Sequence, residues 1–175
     1  MAKKIEAYTA QDQSGILLNA NESTANLSME IRKEISEAML TLDFNRYPDN
    51  SQKEILEAYA KVMKLKSNQL LAGNGSDAML GLLIGTFLGK GKSLYTFDPD
   101  FSMYDYYASA YEAGIEKFTL SFDGTLDLDA FIAEGKKKNV SLVMFSNPNN
   151  PTGICLSITK IKKLIEAFAP VPVVV

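Results

Sequence analysis

The sequence predicts an α/β fold, a mostly parallel sheet with flanking helices. Three observations carry this reading. From residue 69 onward, short apolar runs alternate with longer amphipathic ones. The short runs, Val140-Ser141-Leu142-Val143-Met144 above all, are nearly continuous in their apolar character, as in strands covered on both faces. The segments between them are rich in Gly, Asn, Asp and Pro, residues that punctuate one element from the next.

Taken in order, residues 1–26 are irregular and form an N-terminal arm, with Tyr8 in a polar stretch. Residues 27–68 form a helical segment. Ser28 is the N-cap of a helix over 29–40, whose Ile31, Ile35, Ala38 and Met39 share one face. A loop follows around Pro48, and Ser51 caps a second helix over 52–63 with Ile55, Leu56, Tyr59 and Val62 on its apolar side. Residues 69–175 form a partial large domain. Its expected elements are a strand over 69–72, a turn over 73–76 and a helix over 77–88, then a strand over 92–97 and a helix over 101–113 that Gly114 closes as C-cap. A strand over 116–120, a short helix over 128–134, a strand over 140–145, a helix over 157–168 and a strand over 171–175 complete the series. The last run reads as the start of a buried parallel strand. Natural termini usually lie at the surface, so the sequence is expected to be the amino-terminal part of a longer protein.

Composition narrows the function. The 175 residues are 46% hydrophobic and 22% charged, with a net charge of −3, so no basic surface calls for nucleic acid. The longest nearly apolar stretch, 78–88, is too short to cross a bilayer, and no membrane partner is expected. Cys155 is the single cysteine, which rules out an internal disulfide and fits a cytoplasmic protein. There is no histidine, which removes a histidine-based triad and the usual zinc clusters, and no metal site is expected. Proton transfer must then use Lys, Asp, Glu, Tyr or a cofactor.

Four segments can carry chemistry. Gly73-Asn74-Gly75-Ser76-Asp77 enters a helix directly from a strand. Its glycines turn the backbone tightly, the helix start offers N–H groups and a positive dipole end, and Ser76 adds a hydroxyl, which together suit a phosphate. Taken alone, the segment reads equally as a capped βα turn. Gly89-Lys90-Gly91-Lys92-Ser93 contains Gly-Lys-Ser, but Thr86 stands where a P-loop needs glycine, and a strand follows it rather than a helix; it reads as a polar turn. In Asp98-Pro99-Asp100-Phe101, the Phe101 ring could stack on a flat heterocycle or simply start the next helix's core, while Asp98 and Asp100 read as loop and cap residues. Phe145-Ser146-Asn147-Pro148-Asn149-Asn150-Pro151-Thr152-Gly153 leaves the most apolar strand at its carboxyl end, where open α/β sheets bind ligands, and two prolines stiffen it around its side-chain amides.

With Leu18-Asn19-Ala20-Asn21-Glu22 and Asn45-Arg46-Tyr47-Pro48-Asp49, these motifs stand in the order found in fold type I aminotransferases that use pyridoxal phosphate. The string Ser-Asn-Pro-Asn-Asn-Pro-Thr-Gly resembles the histidinol-phosphate aminotransferase branch in particular. The resemblance covers essentially the whole chain, but only about the first half of such an enzyme. It implies pyridoxal 5'-phosphate as cofactor and a homodimer with shared sites. Gly75, Ser76 and Asp77 would hold the cofactor phosphate, Phe101 would lie over the pyridine ring and Asn150 would contact the ring 3′-oxygen. Tyr47 would reach the phosphate in the partner subunit. Tyr8 and Asn21 correspond to substrate-side positions on the arm. Ala78 departs from the family's Glu after the Asp, and Ser23-Thr24 from its Asn-Pro after the Leu-Asn-Ala-Asn-Glu string. The Schiff-base lysine and the Asp that pairs with the pyridine nitrogen would lie beyond Val175. No catalytic residue is therefore assigned, and the 175-residue chain is expected to be inactive alone. The implied parent reaction converts histidinol phosphate and 2-oxoglutarate to imidazole acetol phosphate and glutamate, in histidine biosynthesis. Aromatic-amino-acid aminotransferases and threonine-phosphate decarboxylase-like enzymes share the motifs. A non-catalytic phosphate-binding fragment is the reading of another class.

Overall fold

The computed structural model describes residues 14–18 and 21–175. They fall into two compact units, one running to Leu71 and the other from Ala72 to Val175.

The first unit carries α1 (Met29–Met39), α2 (Lys53–Met63) and a 3-10 turn at Ser67–Gln69. The Ser28 hydroxyl accepts from the N–H of Ile31 at 3.3 Å, satisfying one of the first-turn donors that a helix leaves unpaired. Ser51, the expected cap of α2, does not occupy that position. Gln52 does, in left-handed backbone at φ 51°. Asp49 claims Ser51 instead, accepting from its hydroxyl at 2.7 Å and its N–H at 2.9 Å.

The second unit contains α3 (Gly75–Phe87), β1 (Ser93–Asp98), α4 (Met103–Ala110), β2 (Gly114–Thr119), α5 (Leu128–Gly135), β3 (Val140–Met144), α6 (Ile158–Phe168) and β4 (Val173–Val174). The four strands are parallel, in the order β2-β1-β3-β4, so the fold is the α/β class that the alternation predicts. Side chains alternate across each strand. Tyr95, Phe97, Val143 and Phe145 point to one face, where they meet Phe131 of α5 and Leu164 and Phe168 of α6. Leu94, Leu142 and Met144 point to the other, where they meet Ile84 and Leu88 at the end of α3 and Tyr104 of α4. Both faces are covered, which is why β1 and β3 are largely apolar, with Thr96 and Ser141 the polar residues between their ends. Phe131 is fully buried and stacks on Tyr95 at 4.3 Å between ring centroids, and its burial contributes on the order of 1.5–3 kcal/mol. The Tyr95 hydroxyl donates to the Phe131 carbonyl at 3.0 Å, so this core ring brings no unpaired donor with it.

Two further expectations fail. Residues 69–72 form no strand. Gln69 ends the 3-10 turn and Leu70 is extended, with φ −118° and ψ 146°. An extended run becomes a strand only through a ladder with a neighbour, and among the described residues none pairs with it. Gly114 is not a helix cap either. Glu112 makes the left-handed turn after α4, at φ 55°, and Gly114 is the first residue of β2. Its N–H donates to the Lys92 carbonyl at 2.8 Å, and a Cβ there would meet Ser93 Oγ at 2.7 Å. The glycine serves the close approach of two strands.

Candidate active site

The strand order creates the crevice. From β1 the chain crosses to β2 on one side, while β3 lies on the other side of β1. The connections leaving the carboxyl ends of β1 and β3 therefore diverge, and ligands bind at such a switch point in open α/β sheets.

The loop after β3 is folded by two of its three asparagines. Asn147 Oδ1 accepts from the Leu156 N–H at 2.7 Å, and its Nδ2 donates to the Leu156 carbonyl at 3.3 Å, closing the base of the loop. Asn149 is buried. Its Oδ1 accepts from the Thr152 hydroxyl at 2.7 Å, and its Nδ2 donates to the Pro99 carbonyl at 3.3 Å. Gly153, at φ 74°, turns the chain so that its N–H reaches the Asn149 carbonyl at 2.7 Å. Asn150 differs from both. Its backbone N–H donates to Ser146 Oγ at 2.7 Å, while its exposed side-chain amide has no hydrogen-bond partner among the described residues. The loop thus presents one free amide donor from a rigid frame.

Asp100 lies between the two loops. Its Oδ1 accepts from the Ser146 hydroxyl at 2.6 Å and from the Phe101 N–H at 2.8 Å, and its Oδ2 accepts from the Thr96 hydroxyl at 3.3 Å. Burial raises its pKa, and the hydrogen bonds from Ser146, Phe101 and Thr96 pull against that rise. Phe101 is half-buried and meets Tyr104 edge-on at 5.8 Å. It leans on the core that α3 and α4 share with the sheet.

The start of α3 lies at the same edge. A Cβ at Gly81 would meet Tyr107, and one at Gly85 would meet Tyr111. The pairing advances four residues on both helices, so α3 and α4 run parallel and close together. Since α4 starts where β1 ends, the first turn of α3 lies beside that end too. Gly75 takes φ +80°, a backbone turn suited to glycine. Beyond it, the N–H groups of Ser76 and Asp77 have no acceptor among the described residues, and both side chains are exposed. Two orphan N–H groups, a hydroxyl and the positive end of a 13-residue helix form a donor set that fits a phosphate.

Gly75, Ser76, Asp77, Phe101 and Asn150 are therefore brought to one edge of one unit. Asn21 and Tyr47 belong to the other unit; Asn21 takes left-handed backbone at φ 53°, and Tyr47 is 98% exposed. Tyr8 lies outside the described residues. Sequence reasoning missed the roles of Asp100, Ser146 and Asn149. The available signal was a polar residue two positions past the end of each of two largely apolar strands, Asp100 after β1 and Ser146 after β3, where a partly buried polar group demands a partner. Among the described residues, no cluster of His, Cys, Asp and Glu could hold a metal ion, and no helix is long and apolar enough to cross a membrane.

Residues 13–175 match the family model of aminotransferase class I and II. The chain is 34% identical over 168 residues to the histidinol-phosphate aminotransferase of Clostridium novyi, which covers 94% of this chain and 47% of that protein. It is likewise 34% identical over 151 residues to that of Clostridium kluyveri, covering 86% and 43%. In fold it is similar to the histidinol-phosphate aminotransferase of Sinorhizobium meliloti, solved in complex with pyridoxal-5'-phosphate. The TM-score is 0.80 at 21% identity, over 89% of this chain and 41% of that one. The chain spans about half the length of the curated relatives it matches.

Proposed function

This chain belongs to the class I and II aminotransferases, and we propose that it supplies the cofactor-holding part of a pyridoxal 5'-phosphate-dependent transaminase. The reaction is amino transfer from histidinol phosphate to 2-oxoglutarate, giving imidazole acetol phosphate and glutamate, a step of histidine biosynthesis. The substrate assignment rests on the identity with the clostridial enzymes. The cofactor assignment is supported by the meeting of an orphan-donor helix start, an aromatic ring and a free amide at one sheet edge.

Each residue has a distinct task. The Ser76 hydroxyl and the N–H groups of Ser76 and Asp77 bind the phosphate, and Gly75 shapes the turn that exposes them. The Phe101 ring covers one face of the pyridine, a contact worth roughly 0.5–1.5 kcal/mol. The Asn150 amide donates to the ring 3′-oxygen; being neutral, it stabilises charge there without adding any. When bound, the cofactor supplies the electron sink for cleavage at the amine-bearing carbon. In this reading residues 69–175 are part of the large cofactor domain, and the protein is a cytoplasmic homodimer. Tyr47 reaches the phosphate in the partner subunit, and Tyr8 and Asn21 line the substrate side.

The test is an assay of the full-length protein loaded with pyridoxal phosphate, with 2-oxoglutarate as acceptor. Histidinol phosphate, tyrosine and phenylalanine are offered as donors, and threonine phosphate is offered as a decarboxylation substrate. Saturable transfer with the highest kcat/KM for histidinol phosphate is expected. Transfer from the aromatic amino acids alone, or release of carbon dioxide from threonine phosphate, would replace the substrate assignment. A full-length protein that takes up no cofactor would end the proposal.

A further inference from the structure

Four hydrogen-bond donors converge on the Asp100 carboxylate from both loops and from β1. They are the Ser146 hydroxyl at 2.6 Å, the Phe101 N–H at 2.8 Å, the Ser146 N–H at 3.3 Å and the Thr96 hydroxyl at 3.3 Å. A carboxylate is the one side chain with two acceptor oxygens and no donor of its own, so it can take all four. Thr96 is buried within β1 and orients the carboxylate from the sheet. Oδ1 then takes both short bonds, one to each loop. The chain of contacts continues on the far side. Ser146 has a single hydroxyl proton, which it gives to Asp100, and its oxygen lone pairs are left to accept the Asn150 N–H at 2.7 Å.

We infer that Asp100 is a positioning residue that sets Phe101 and Asn150 in register with each other, acting on Phe101 directly and on Asn150 through Ser146. The inference rests on the cofactor reading above, in which that ring and that amide address the same heterocycle. The arrangement accounts for a half-buried carboxylate at a sheet edge, where a neutral residue would be cheaper to desolvate. It also makes a selective statement. Ser146 stands on the path to Asn150 but not on the path to Phe101.

The experiment uses the full-length protein and the variants Asp100→Ala, Asp100→Asn, Ser146→Ala, the Asp100→Ala/Ser146→Ala double and Asn150→Ala. Three quantities are read besides the melting temperature: backbone amide exchange at Phe101 and Asn150 without cofactor, the affinity for pyridoxal phosphate, and the pH midpoint of the bound cofactor's visible absorption. Asp100→Ala is expected to speed exchange at both amides and to weaken affinity, each roughly tenfold, the scale of a charged hydrogen bond. It should also move the pH midpoint in the same direction as Asn150→Ala. Ser146→Ala should speed exchange at Asn150 and leave Phe101 unchanged, and the double variant should be no worse at Asn150 than Ser146→Ala alone. Asp100→Asn, which keeps an oxygen for the two short bonds, should recover part of each loss. A lower melting temperature with unchanged affinity and pH midpoint in Asp100→Ala would reduce Asp100 to a fold-stabilising residue and overturn the inference. If Asp100→Ala does not fold, a Ser146→Ala protein with unchanged exchange at Asn150 overturns it equally. Should Asn150→Ala itself leave the pH midpoint in place, the cofactor reading fails, and the exchange measurements alone uphold or overturn the linkage.

Discussion

The Ser146 hydroxyl lies 2.6 Å from Asp100 Oδ1, a contact between loops 46 residues apart in sequence. The two loops leave neighbouring strands in diverging directions, so nothing in the backbone ladder fixes the gap between them. The Asp100–Ser146 contact fixes it, and the bond from Asn149 Nδ2 to the Pro99 carbonyl repeats the bridge a few residues away. The crevice is thus framed by side chains, with the sheet as its floor.

Asn149 and Asn150 are neighbours with opposite expected phenotypes. Replacing Asn149 by Ala leaves the buried contacts to Thr152 and Pro99 unmade and should cost about 1–3 kcal/mol in denaturant unfolding. Replacing the exposed Asn150 by Ala should change stability by no more than about 0.5 kcal/mol. It should instead move the pH midpoint of the bound cofactor's visible absorption upward, because the ring oxygen loses a donor and becomes more basic. An unchanged midpoint would remove Asn150 from the site.

The Asp100 carboxyl carries a pH signature. Burial raises its pKa above the ordinary 3.8, and the Ser146 hydrogen bonds are among the contributions that lower it. Ser146→Ala should therefore push it higher still. A group whose folded pKa is raised binds its proton more tightly when folded. Its contribution to stability is fully present below the unfolded pKa and is lost as pH rises through the folded value. The carboxyl-carbon NMR shift of Asp100, followed against pH in both proteins, should titrate later in Ser146→Ala. An equal or earlier titration would contradict the assigned bond.

In the proposed homodimer, Tyr47, almost fully exposed, would reach the phosphate of the partner subunit. A Tyr47→Phe protein should remain a dimer in sedimentation and bind pyridoxal phosphate more weakly. A dimer structure with Tyr47 remote from both phosphates would end this assignment.

Much of the fold was legible because the deciding signals were local. The largely apolar runs at 92–97 and 140–145 announced strands buried on both faces, and Ser28 caps its helix, as expected, through the N–H three residues on. What failed depended on distant partners. The run at 69–72 has strand character, but a strand needs a neighbour that local sequence does not name. Gly114 follows a helix, as a cap would, yet it is required by the approach of Ser93, 21 positions earlier in the chain. The same division holds at the site. The glycine turn at the start of α3 was readable from its own segment, whereas Asn150 was singled out by the resemblance alone, since nothing in its loop says which of three amides stays free. The tie between Asp100 and Ser146 was not readable, because nothing in either loop specifies the strand order that makes them neighbours.

The central claim is that the start of α3 holds the cofactor phosphate. Its most direct measurement is a titration of the full-length protein and its Ser76→Ala variant with pyridoxal phosphate, followed by visible absorption. Loss of one hydrogen bond to a charged group should weaken binding by roughly 1.5–3 kcal/mol, about ten- to a hundredfold in Kd. Equal affinity in the two proteins would place the phosphate elsewhere and contradict the account.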